Sequence, residues 1–180
     1  MSRSKAVFFD RDGTLMEEVF YCGDPAKVKV YPGIPRALRK LQEAGFRRII
    51  ITNQSGIGRG LISEAQYRAV EEELLRQSEG EIDASYFCPD APGVHSRRRK
   101  PEPGMVLEAA AEFDIDLGRS YFVGDKAADI ECGHRAGVRT ILVATGYGAG
   151  EECAADFRAA DAVDAVEVVL RVDSQKGTGG

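Results

Sequence analysis

Four short stretches hold the side chains that could do chemistry. In Phe8-Phe9-Asp10-Arg11-Asp12-Gly13-Thr14-Leu15, two carboxylates stand two residues apart where an apolar run gives way to a turn. A carboxylate at the end of a buried run is costly unless something compensates it, and a hard cation such as Mg²⁺ does so through carboxylate oxygens. In Ile51-Thr52-Asn53-Gln54-Ser55-Gly56-Ile57-Gly58-Arg59-Gly60, hydroxyls, amides and glycines follow another apolar run. Glycines let backbone N–H groups converge on an anion, and the polar side chains add donors. The stretch is not G-x-x-x-x-G-K-[ST], which disfavours a P-loop nucleotide hydrolase. Arg97-Arg98-Arg99-Lys100-Pro101 concentrates cations, and the proline restricts Lys100 to extended backbone, so that a fixed ammonium could hold a phosphate or a carboxylate. In Phe122-Val123-Gly124-Asp125-Lys126-Ala127-Ala128-Asp129, Asp125 ends a fourth apolar run and Asp129 follows one helical turn later on the same side.

Taken singly, each stretch has an ordinary reading: an Asp-Gly turn, a flexible surface loop, a solvated charge run, an acidic helix N-terminus. Taken together, an acid, a hydroxyl, a lysine and an acid come in order at four successive strand ends. No structural convenience produces that order.

The elements that must position these groups alternate. The strands expected are Ala6–Asp10, Arg48–Thr52, Ser85–Cys88, Tyr121–Gly124 and Thr140–Val143. Runs such as Arg48-Ile49-Ile50-Ile51-Thr52 are apolar on consecutive residues, as in a parallel sheet covered on both faces. Between them, Ile34, Leu38 and Leu41 recur at helical spacing. Ser63-Glu64-Ala65-Gln66 reads as a capping box before Tyr67, Val70 and Leu74. Pro103 stands at a first helical position before Val106, Ala110 and Phe113. The alternation implies an α/β fold with a doubly wound, mostly parallel sheet and helices on both faces. Ligands of such folds bind beyond the carboxyl ends of the strands, where all four stretches lie.

The 180 residues suit one domain, expected over 1–173, with 174–180 as a flexible tail. No apolar run is long enough for a membrane span or a signal peptide, and a cytoplasmic protein is expected. The net charge of −5 disfavours nucleic acid as a partner while leaving room for a small anion at a local basic patch. Cys22, Cys88, Cys132 and Cys153 are scattered, as in a protein with reduced thiols.

Phe9-Asp10-Arg11-Asp12-Gly13-Thr14, Thr52, Lys100 and Gly124-Asp125 resemble the four motifs of the haloacid dehalogenase superfamily. The longer stretches around them are similar to its D,D-heptose 1,7-bisphosphate phosphatase and histidinol-phosphatase branch. The resemblance implies a Rossmann-like core without a large cap domain. The spacing agrees, with 37 residues between Thr14 and Thr52 and 47 between Thr52 and Lys100. It further implies a phosphatase that works through an aspartyl-phosphate on a small sugar bisphosphate, and a monomer is expected. Asp10 would be the nucleophile and Asp12 the acid and base. Thr52 and Lys100 would bind the phosphoryl group. Mg²⁺ would be held by Asp10, Asp125 and the Asp12 carbonyl, with Asp129 supporting it from behind. Asn53, Gln54, Ser55, Gly56, Arg59 and Arg99 would bind substrate, the arginines suiting a second phosphate. A histidinol-phosphate phosphatase and a non-catalytic phosphosugar-binding module are the alternatives. Many members of the branch hold a structural zinc before the lysine motif. Here Asp90, Ser96 and Arg98 replace the expected ligands, and Cys88 and His95 alone are too few, so no structural zinc is expected.

Overall fold

The computed structural model describes residues 3–177, with side chains through Gln175. Six strands form one sheet: β1 (Lys5–Phe9), β2 (Phe46–Asn53), β3 (Ala84–Cys88), β4 (Tyr121–Gly124), β5 (Arg139–Val143) and β6 (Phe157–Ala159). Their order is β3-β2-β1-β4-β5-β6, and every neighbouring pair is parallel. The chain winds outward from β1 in one direction and then from β4 in the other. The β1/β4 junction is therefore the switch point, where the two crossovers part and leave a crevice.

Helices α1 (Ile34–Glu43), α2 (Ser55–Gly58), α3 (Glu64–Gln77), α4 (Gly104–Glu112), α5 (Ala127–Ala136) and α6 (Ala162–Gly177) complete the chain. Two cores flank the sheet. Val7, Phe9, Ile50 and Val123 pack with α1, α3 and α6, while Ala6, Phe8, Ile49 and Ile51 pack with α4 and α5. Alternate residues of one strand feed opposite cores, which explains the unbroken apolar runs. The expected doubly wound sheet is present, and its strands are parallel throughout. Residues 10–33 carry one 3₁₀ turn, at Pro25–Lys27, and isolated bridges that join Asp12, Met16 and Val30, so no cap domain is inserted there.

The capping box forms as expected: Gln66 N–H donates to Ser63 Oγ at 3.1 Å, and Ser63 N–H donates to Gln66 Oε1 at 2.8 Å. Pro103 sits one residue before α4 rather than inside it. Three elements were not foreseen. Helix α2 is a single turn within the glycine-rich stretch, β6 is three residues long, and α6 is rich in valine, which disfavours helix locally. Helix α6 forms because Ala162, Ala165, Val166 and Val169 bury one stripe against the core. It runs to Gly177, past the boundary expected at 173. The end of the expected tail, 178–180, lies outside the described residues.

Candidate active site

Asp10 follows β1 directly, and its N–H donates to Val123 O at 3.0 Å, which ties the turn to the end of β4. Asp125 leaves β4 beside it. Asp129, in the first turn of α5, points back to the same place, and its Oδ2 accepts from Lys126 N–H at 3.1 Å. One oxygen from each of Asp10, Asp125 and Asp129 lies within 4.8 Å of the others, and all three residues are buried. Glycines allow this crowding. A Cβ on Gly13, at φ +81°, would stand 2.4 Å from Asp125 Oδ2, and one on Gly124 would stand 2.4 Å from the Asp129 side chain.

Lys100 enters this acidic group from the other side of β1. Its Nζ donates to Asp10 Oδ1 at 2.7 Å, contacts Asp129 Oδ1 at 2.6 Å and donates to Ile51 O at 2.9 Å. Three ammonium donors therefore meet three oxygens. Burial would lower the Lys100 pKa, but Asp10 and Asp129 outweigh it and raise it. Burial would raise the Asp10 carboxyl, yet Lys100 and Lys126 hold it below the ordinary carboxylate range. The other two acids go the opposite way. Burial and the Asp10 charge push Asp125 up to about 8, against a hydrogen bond from Tyr147 N–H, and push Asp129 up to about 6, against Lys100. Three crowded carboxylates outnumber the two ammonium groups of Lys100 and Lys126, and the excess negative charge raises these two acids.

That excess is what a divalent cation removes. The donor set is all oxygen, which suits Mg²⁺. Asp125 Oδ1 is buried without a hydrogen-bond partner, which is costly unless an ion is meant to meet it. Mg²⁺ is the cation these residues fit. Asp129 stands beside Asp10 and Asp125, with its Oδ1 held by Lys100 and its Oδ2 by Lys126 N–H.

A cavity of about 300 Å³ opens above this group, with Asp10, Asp12, Lys100 and Asp129 in its wall. Asn53, Gln54, Ser55, Gly56 and Arg99 also line it, as expected of substrate-binding residues. The structure gives two of them additional work. Asn53 Nδ2 donates to Lys100 O at 3.1 Å and its Oδ1 accepts from Lys100 N–H at 3.0 Å, which clamps the lysine backbone. Gln54 Nε2 donates to Asp12 Oδ2 at 2.9 Å and to Thr52 Oγ1 at 2.8 Å. Thr52 is buried beneath the wall. The Asp12 carboxylate is not one of the metal-capable trio. Arg59 departs from expectation: it is exposed at the end of α2 and lies outside the cavity wall.

Sequence reasoning missed Glu18, Phe20 and Tyr147 in the wall and gave Lys126, in the fourth stretch, no role beyond its charge. Glu18 and Lys126 face each other at 3.5 Å, Lys126 lies 4.8 Å from the Tyr147 ring centre, and Phe20 is exposed at the rim. Residues 17–22 lack a periodic pattern, so nothing marked them. Cys88 Sγ is occupied by Asp90 Oδ2 at 3.4 Å and Ser96 Oγ at 3.6 Å, while His95 is exposed. Among the described residues, Asp10, Asp125 and Asp129 form the one group of three side chains able to share a metal.

The chain is similar to known proteins over most of its length. Residues 97–169 match the HAD-hydrolase-like family model. The chain is 37% identical over 169 residues to the D-glycero-D-manno-heptose-1,7-bisphosphate 7-phosphatase of Chlorobaculum tepidum, covering 85% of each chain. It is 42% identical over 157 residues to the same-named enzyme of Thermosynechococcus vestitus, covering 79% of this chain and 80% of that one. Among solved structures, the D,D-heptose 1,7-bisphosphate phosphatase of B. bronchiseptica, complexed with magnesium and phosphate, superposes with a TM-score of 0.85 at 29% identity, covering 93% of this chain and 99% of that one. The four strand-end motifs, the switch-point carboxylates and these relatives agree: the chain belongs to the haloacid dehalogenase-like hydrolases, in the branch of the heptose-bisphosphate phosphatases.

Proposed function

We propose that this protein removes the 7-phosphate of D-glycero-D-manno-heptose 1,7-bisphosphate, with Asp10 as the attacking group. The observation that carries the reading is the meeting of Asp10, Asp125, Asp129 and Lys100 at the sheet's switch point, with Asp10, Asp129 and Lys100 in the wall of a cavity. The relatives named above act on the same sugar by name.

Two anions must meet, so catalysis rests on charge neutralisation and aim. Mg²⁺ held by Asp10, Asp125 and the Asp12 carbonyl, with Asp129 supporting the site through Lys100 and Lys126 N–H, would supply positive charge to the phosphoryl oxygens. Lys100 fixes Asp10 through Oδ1 and leaves the other oxygen for phosphorus. Asp10 forms a bond to phosphorus as the ester P–O bond breaks, and Asp12 gives its proton to the departing sugar oxygen. Asp12 then takes a proton from a water molecule as the water oxygen attacks the aspartyl-phosphate, which frees phosphate and Asp10. Thr52, beneath the wall and joined to Asp12 through Gln54, borders the phosphoryl site. Arg99 in the wall suits the second phosphate.

The reading extends to a cytoplasmic monomer. Four unpaired cysteines suit a reducing compartment, and every group above comes from one chain. The test is phosphate release from heptose 1,7-bisphosphate beside histidinol phosphate. A preference for the bisphosphate and its loss in Asp10→Asn are expected. Near-normal turnover by Asp10→Asn would remove Asp10 from the mechanism, and a preference for histidinol phosphate would replace the substrate.

A further inference from the structure

Arg11 lies between the two aspartates of the first motif, and its residue is only 1% exposed. A buried guanidinium is costly unless its charge is matched at close range. Here the match is the neighbouring residue. Arg11 Nε donates to Asp12 Oδ2 at 2.9 Å and Nη2 donates to Asp12 Oδ1 at 3.1 Å, a two-pronged fork on one carboxylate. The third nitrogen, Nη1, is buried without a partner, so full satisfaction of the guanidinium is sacrificed to that orientation. The Tyr67 ring backs the fork, its centre 5.4 Å from Arg11 Cζ, and the Tyr67 hydroxyl donates to Glu71 Oε1 at 2.7 Å. The arginine is thus backed by a side chain of α3.

The donors on Asp12 are unequally shared. Oδ2 accepts from Arg11 Nε and Gln54 Nε2, whereas Oδ1 accepts from Arg11 Nη2 alone. An ionised carboxylate oxygen has two lone-pair directions. Oδ2 is therefore filled, and Oδ1 keeps one direction open on a side chain that borders the cavity.

We propose that Arg11, backed by Tyr67, is the positioning residue of the acid–base Asp12, and that Asp12 Oδ1 is the atom that carries the proton. The inference rests on the phosphatase reading above. The Oδ1 proton passes to the departing ester oxygen as the P–O bond breaks, and Oδ1 receives a proton from water in the second half. A planar fork fixes the rotation of the carboxylate, which one amide donor from Gln54 does not do. Misaiming a proton donor matters in proportion to how badly the leaving group needs the proton.

That proportion is the readout. kcat/KM reports the first phosphoryl transfer. It is measured for heptose 1,7-bisphosphate, whose alkoxide must be protonated, and for p-nitrophenyl phosphate, whose phenolate leaves without help. Arg11→Met is expected to lose about 100-fold on the sugar ester, within the range of acid–base contributions. The loss appears in kcat rather than KM, and is at least about tenfold smaller on the aryl ester. Arg11→Lys, which keeps the charge without the fork, should recover part of the difference. If Arg11→Met does not melt cooperatively, Arg11→Lys carries the same comparison alone. Equal proportional losses on both esters would mark Arg11 as merely structural and overturn the proposal. A wild-type protein inactive on both esters would overturn the phosphatase reading itself, and the Arg11 role with it.

Discussion

Replacing Lys100 with methionine keeps the length of the side chain and removes its ammonium. In the native protein that ammonium meets Asp10 at 2.7 Å, Asp129 at 2.6 Å and Ile51 O at 2.9 Å, and the side chains of Lys100, Asp10 and Asp129 are buried. Removing one partner of a buried ion pair costs about 3–5 kcal/mol, because the remaining charge is left uncompensated. Here two carboxylates are left, with Lys126 as the nearest remaining cation acting on Asp10. For a chain of this size that corresponds to a fall of about 6–20 °C in Tm. The dependence on pH follows from the direction of each shift. Asp10 is held low in the native protein, so its stabilisation is present above its unfolded pKa and lost as pH falls. In Lys100→Met both acids are raised, so their contribution is full in acid and lost as pH rises. The raised Lys100 pKa adds stability that persists until strongly alkaline pH and leaves this window unchanged. Each trend widens the gap between the two proteins upward in pH. Urea unfolding of metal-free protein at pH 5 and pH 8 should show the full loss at pH 8 and a clearly smaller one at pH 5. A loss below about 1 kcal/mol at pH 8, the level of an exposed pair, or an equal loss at both values, would refute the reasoning.

Magnesium should stabilise the protein more as pH rises. Asp125 and Asp129 titrate near 8 and 6 through burial and the Asp10 charge, so metal-free protein weakens as pH climbs through that range while a cation must first displace protons below it. Thermal melts with and without Mg²⁺ should diverge between pH 5 and pH 8, and a constant increment would contradict the assignment. Gly13→Ala forces a Cβ to within 2.4 Å of Asp125 Oδ2 at φ +81°, and should cost about 1–3 kcal/mol and abolish the Mg²⁺ increment, whereas Gly150→Ala meets nothing within 4 Å and should be silent. Arg99→Ala should impair a bisphosphate more than a monophosphate, while Arg59→Ala, exposed and outside the cavity wall, should leave both kinetic constants within about twofold, the scale of surface changes. Elemental analysis should find no stoichiometric zinc, since Cys88 is engaged by Asp90 and Ser96; zinc lost on Cys88→Ser would reverse that reading.

The four strand-end motifs were legible along the chain because chemistry and burial conflict there: a carboxylate closing an apolar run, as at Asp10 and Asp125, has few structural explanations. The alternation of elements was legible for the same reason that the sheet is buried on both faces, and it carried the architecture with it. Local pattern failed at α6, whose valines favour strand until a neighbouring core selects helix, and at α2, where glycines hide a single turn.

What the sequence by itself determined is which groups stand at the carboxyl ends of the strands, since the order of residues and the period of burial are properties of the chain alone. Partnership was decided only in three dimensions. That Asp129 answers Lys100, that Asn53 clamps the lysine backbone, that Gln54 and Arg11 share the Asp12 carboxylate, and that Arg59 stays outside the cavity wall were set by contacts between side chains up to 90 residues apart, such as Lys100 and Asp10. Hydrogen bonds and charge compensation act over a few ångströms, and only the winding of β1 beside β2 and β4 brings those atoms within that reach.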